Sequence, residues 1–143
     1  MSASDISFFT EDIEFSLKQK TDLRKWINSI IKSQGKRTGE LNFIFCSDSY
    51  LLDINRQYLN HNTFTDIITF DNSEDQSRVE GDIFISVDRI RENALNFKVA
   101  ERDELHRVII HGVLHLLGYK DKKPNDKKQM TLKEDEALAL RTF

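Results

Sequence analysis

Apolar positions along the chain follow two periods. Between Thr21 and Gly35, Leu23, Trp26, Ile27, Ile30 and Ile31 recur three or four residues apart, which predicts an amphipathic helix with Thr21 placed to cap it and Gly35 placed to end it. Ile6 to Phe9 reads as extended, and so does Ile13-Phe15-Leu17, by alternation. Leu41 to Cys46 carries apolar residues on both faces and reads as a strand inside a sheet. A second helix is predicted from Ser49 to Leu59, burying Leu51, Leu52, Ile54 and Tyr58. After a polar loop, Asn60 to Thr63, come Asp66 to Phe70 and Gly81 to Val87, two strands joined without a helix and so expected to pair antiparallel. Asp88 is placed to cap a short helix through Leu95. Another opens at Glu101 or Asp103 and runs to Leu117, apolar nearly all round and therefore buried between other elements, with Gly118 as its stop. A closing helix is predicted from Asp126 to Leu140. The order β-α-β-α-β-β-α-α-α predicts an α+β fold, a small mixed four-stranded sheet covered by about five helices.

The 143 residues suit one domain spanning 1–143 and leave little room for a second. With 38% hydrophobic and 31% charged residues the chain is neither disordered nor fibrous. The longest apolar run, Val108 to Leu117, is half of what a spanning helix needs and contains two histidines, so no membrane segment is expected. Met1 to Asp5 lacks the features of a signal peptide and Cys46 is the sole cysteine, which together suggest a cytoplasmic protein. A formal net charge of -3 requires any nucleic-acid binding to rest on local patches.

The chemistry gathers on the apolar helix. His111 and His115 are four residues apart, about 40° around the axis and about 6 Å along it, so both imidazoles reach one point. The turn after Gly118 can return Asp121 beside them. Two histidines and a carboxylate leave a coordination position for water, the open arrangement of a catalytic metal, and no cysteine is at hand to close it. The competing reading is a pair of core histidines hydrogen-bonded to backbone. His106, roughly 140° from His111, is expected to face a neighbour or solvent rather than the metal. The spacing matches the outline of a zincin-like metal helix, yet Gly112 stands where a metzincin has its catalytic glutamate.

His111-Gly112-Val113-Leu114-His115-Leu116-Leu117-Gly118-Tyr119-Lys120-Asp121 resembles the signature H-G-x-L-H-L-x-G-Y-D-H of the bacterial YbeY endoribonucleases. Thr65-Asp66-Ile67-Ile68-Thr69-Phe70 and Gly81-Asp82-Ile83 are similar to two further segments of that family. The resemblance implies a metal-dependent single-strand endoribonuclease of rRNA processing, acting in 16S rRNA 3'-end maturation, with Zn2+ as cofactor and ribosomal RNA and small-subunit proteins as partners. Other divalent ions also suit His111, His115 and Asp121. Two positions depart from the family pattern: Asp121 replaces its third histidine, and Tyr58-Leu59 replaces its Tyr-Arg pair. Arg56 or His61 can stand in for that arginine at a phosphate. Asp66 and Asp82 are candidates for a general base or for orienting a histidine. Lys120, Lys122 and Lys123, followed by Lys127 and Lys128, form a basic cluster that either contacts RNA or is solvated surface. A metallopeptidase and a non-catalytic ribosome-assembly factor are the alternative functions.

Overall fold

A computed structural model describes residues 5–61 and 65–143. In chain order the elements are β1 (Ile6–Glu11), α1 (Lys20–Ser33), β2 (Arg37–Cys46), α2 (Asp48–Leu59), β3 (Ile67–Asp71), β4 (Arg78–Ser86), α3 (Val87–Phe97), α4 (Glu101–Leu116) and α5 (Pro124–Ala139). The strands form one sheet in the order β1-β2-β4-β3. Both β1 and β4 lie parallel to β2, which requires crossovers through α1 and α2, while β3 pairs antiparallel with β4 as its helix-free connection predicts. The fold is therefore the mixed four-stranded α+β arrangement with five helices that the element order implies.

Strand alternation gives the sheet two unequal faces. Leu41, Phe43 and Phe45 of β2 and Ile83 and Ile85 of β4 are fully buried in the main core with α1 and α4. The alternate residues, Ile68 and Phe70 of β3 and Phe84 of β4, turn to the other face, where Tyr50, Leu51 and Ile54 of α2 cover them. Trp26 of α1 donates its indole N–H to the Ala137 carbonyl of α5 at 2.8 Å, tying the first helix to the last.

Several boundaries differ from the sequence reading for local reasons. Ile13-Phe15-Leu17 joins no ladder: Asp12, at φ 59°, turns the chain out of β1, and the alternating residues pack on the core, Phe15 with its ring 5.1 Å from that of Phe45. Strands β2 and β4 begin earlier than their apolar cores, because Arg37 and Arg78 pair at their polar ends. The N-cap of α1 is Gln19, not Thr21, and that of α3 is Ser86, whose Oγ accepts from Arg89 N–H at 3.2 Å. Asp88 instead sits in the first turn of α3 and accepts from the Asp48 N–H at 2.9 Å. Tyr58, expected inside, is 65% exposed at the end of α2, its ring edge against Phe70. No helix among the described residues is long and apolar enough to cross a membrane.

Candidate metal centre

Helix α4 lies directly on the sheet. A Cβ at Gly112 would stand 2.9 Å from Ile67 Cδ1 and 3.0 Å from Ile83 Cγ2, so a side chain there would crowd both isoleucines. On the helical wheel His111 and His115 fall about 100° and 60° to the same side of Gly112, which lifts both imidazoles off the core onto one flank. The helix ends in a Schellman turn: Gly118, at φ 106°, donates to the His115 carbonyl and Tyr119 to the Leu114 carbonyl, both at 3.0 Å. That reversal carries Asp121 back to the flank holding the histidines.

Three donor atoms meet there. His111 Nε2 and His115 Nε2 are 3.1 Å apart, and Asp121 Oδ2 is 3.1 Å from the first and 3.2 Å from the second. Donors held by a tetrahedral zinc at about 2.0–2.1 Å lie roughly 3.3 Å from one another, so the triangle has the size such an ion needs. The three side chains are 20%, 26% and 34% exposed, leaving the outer side of the triangle open to water or substrate. The residues present can therefore hold a metal ion.

On the inner side, His111 Nδ1 lies 2.6 Å from Oε2 of Glu134, a buried residue of α5. A carboxylate can only accept, so the proton of the neutral ring sits on Nδ1 and the Nε2 lone pair faces Asp121 and His115. Glu134 Oε1 also accepts from Arg107 Nη1 at 2.7 Å, and Arg107 Nη2 donates to Asp135 at 2.7 Å. Burial disfavours charge on His111, but the hydrogen bond and charge of Glu134, with Asp121 and Asp66, outweigh it and hold the imidazole above its ordinary pKa.

The two candidate aspartates part company. Burial pushes the half-buried Asp66 carboxyl above the usual carboxylate range; the charge of His111 opposes this, and those of Glu134 and Asp121 add to it. Asp66 thus belongs to the electrostatics of the centre. Asp82 does not: its neighbours in sequence, Gly81 and Ile83, face α4, so its own side chain turns to the opposite face of the sheet. There it accepts from the amides of Asn42 at 3.0 Å and Asn72 at 3.3 Å.

Lys120, Lys122 and Lys123 are exposed on the turn beside Asp121. Arg56 pairs with Asp53 at 3.8 Å on the outer surface of α2, and His61 is exposed just before residues 62–64, which lie outside the described residues together with part of the polar loop. His106 is buried between Trp26, Phe143 and Arg141, away from the triangle, as its angle on the helix predicts.

Sequence reasoning missed Glu134 and Arg107. The signal available was a glutamate within the inward stripe of α5, where Met130, Glu134 and Ala137 are the buried residues.

The family model described as Endoribonuclease YbeY matches residues 5–141. A protein of Cytophaga hutchinsonii named Endoribonuclease YbeY is 52% identical over 143 residues, covering all of both chains. One of the same name from Flavobacterium psychrophilum is 52% identical over 132 residues, 92% of this chain and 94% of that one. Among solved structures, the solution structure of TM1509 from Thermotoga maritima superposes with a TM-score of 0.66 at 27% identity, covering 93% of this chain and 86% of that chain.

Proposed function

The chain belongs to the YbeY family of endoribonucleases, and from that membership we propose that it is a metal-dependent hydrolase of single-stranded RNA acting in rRNA processing, at the 3' end of 16S rRNA, in the cytoplasm. The observation that carries the metal dependence is the triangle of His111 Nε2, His115 Nε2 and Asp121 Oδ2, with sides of 3.1–3.2 Å and an open outer face. A divalent ion bound there, Zn2+ on the family's precedent, supplies electrophilic catalysis at a phosphoryl oxygen and acidifies water.

The remaining work falls to the chain's own groups. Glu134 fixes the His111 tautomer and ring orientation, and Arg107 fixes Glu134. Asp66, whose carboxyl feels the charges of His111, Glu134 and Asp121, is our candidate to exchange a proton with water at the centre; Asp82, on the far face of the sheet, is not. Lys120, Lys122 and Lys123 line the approach with positive charge toward RNA phosphates. The metallopeptidase alternative loses its base for a structural reason: position 112 faces Ile67 and Ile83, so even a glutamate there would point into the sheet and away from the open side of the triangle.

The deciding experiment compares wild type and His115→Ala, purified identically, on single-stranded RNA carrying the 16S 3' end. Wild type should cut, lose activity with chelator and regain it on metal return, whereas the variant should stay folded and cut at least 100-fold more slowly. Equal cutting by both would assign the activity to a contaminant. Failure of both to cut, while both still support ribosome maturation, would establish the assembly-factor reading.

A further inference from the structure

RNA bound for cutting must also be held beside the cleaved bond, and a chain of net charge -3 can do so only where cations gather. Besides the lysines of residues 120–128, they gather at the end of the sheet where α1 finishes and β2 and β4 begin. A hollow of about 530 Å3 there is lined by Lys32, Lys36, Arg37 and Arg78, with Ser29 on its wall and Asp5 as the acid in its lining. Arg37 and Arg78 are register partners on adjacent parallel strands, a like-charged pair that disfavours the sheet unless something anionic meets it. Their neutralisation within the chain is partial: Glu80 stands 3.9 Å from Arg78, and the charge of the exposed Asp75 reaches both arginines through solvent.

The hollow adjoins the metal turn. Gln34, between Lys32 and Lys36, accepts from the Tyr119 hydroxyl at 3.0 Å. Tyr119 is two residues, at most about 7 Å of chain, from Asp121. From the other side, Leu116 at the end of α4 reaches over Gly81, three residues beyond Arg78. The segments that carry the cations thus touch the stretch from Leu116 to Tyr119 that leads from the histidines to Asp121. Exposed except for the partly buried Lys36, and spread over a helix end, the turn after it and two strands, the cations suit a flexible polyanion with repeating charges better than a single enclosed anion.

We propose that this hollow holds the phosphodiester backbone of single-stranded RNA flanking the cleaved bond, an inference that rests on the nuclease reading above. The test is the triple variant Lys32→Gln/Lys36→Gln/Arg78→Gln, with Lys18→Gln/Lys20→Gln/Lys98→Gln as a control of equal net charge at other surfaces. Binding of a labelled single-stranded RNA of about 20 nucleotides should weaken at least tenfold in the first variant only. Its log–log salt slope should flatten by about 2, roughly 0.7 for each of three lost phosphate contacts. Lys32→Arg/Lys36→Arg/Arg78→Lys should restore binding. Wild-type affinity and slope in the triple variant, or an equal loss in the control, would overturn the hollow while leaving cleavage by the wild type, and hence the nuclease reading, intact. Folded wild-type protein that neither binds nor cuts RNA would overturn both.

Discussion

Glu134 is buried yet keeps both carboxylate oxygens occupied, one by His111 and one by Arg107. Removing it leaves His111 free to take the other tautomer and Arg107 without its buried partner. Glu134→Ala should weaken zinc binding 10–100-fold, measured by competition with a chromogenic chelator, and Glu134→Gln less. This contact was illegible beforehand because 23 residues separate the pair and only the docking of α5 joins them. The histidine pair and Asp121 were legible because one helical turn and one glycine stop suffice to assemble them. His106 shows the other fate of a helix histidine. Burial, then the charges of Arg141 and Arg102, lower its pKa to about 4, with Asp103 opposing. The unfolded chain therefore takes up a proton near pH 6.5 that the folded chain refuses until about pH 4, so stability falls as pH drops through that window. The loss amounts to about 3 kcal/mol. His106→Asn should flatten the urea-unfolding free energy between pH 6.5 and 4 relative to wild type, whatever the carboxylates contribute to both.

At the scale of elements, the helix that carries the site is positioned by a missing side chain. Gly112→Ala makes the Ile67 and Ile83 side chains, or α4 itself, give by a few tenths of an ångström, at a cost of about 1–3 kcal/mol where the packed core resists. Because His111 and His115 ride on the same turns, the substitution should lower the thermal midpoint and zinc affinity together; a lower midpoint with unchanged affinity would show that the triangle adjusts independently of the sheet. The elements best read from sequence were those whose apolar stripe is long, α1 and α4 above all. Those misread had a pattern with two physical causes. Ile13-Phe15-Leu17 alternates because one side lies on the core, and without a neighbouring strand alternation alone makes no ladder. Arg37 and Arg78 extend β2 and β4 because ladder hydrogen bonds need no apolar side chain, and their charge hid them from a hydrophobic pattern.

Across the whole molecule the sequence disclosed the fold class and the antiparallel β3–β4 pair but not which distant surfaces share an edge, since the hollow draws residues from three elements that only the sheet order β1-β2-β4-β3 brings together. The same long-range assembly has a consequence for motion. Helix α5 offers few buried residues, Met130, Glu134 and Ala137, so much of its attachment runs through Glu134 and the Trp26 bond to Ala137. Glu134 grips a histidine whose other nitrogen points to the metal position. An ion that steadies His111 therefore steadies a helix that donates no ligand to it. Amide hydrogens of α5 around Glu134 should exchange with deuterium more slowly when zinc is present, by a factor approaching 1 + [Zn]/Kd if local opening of the helix releases the ion. In Glu134→Ala the amides of α5 should exchange at one rate with or without metal. Zinc would then act as a remote latch on the C-terminal helix, and its occupancy would be readable from a part of the chain that never touches it.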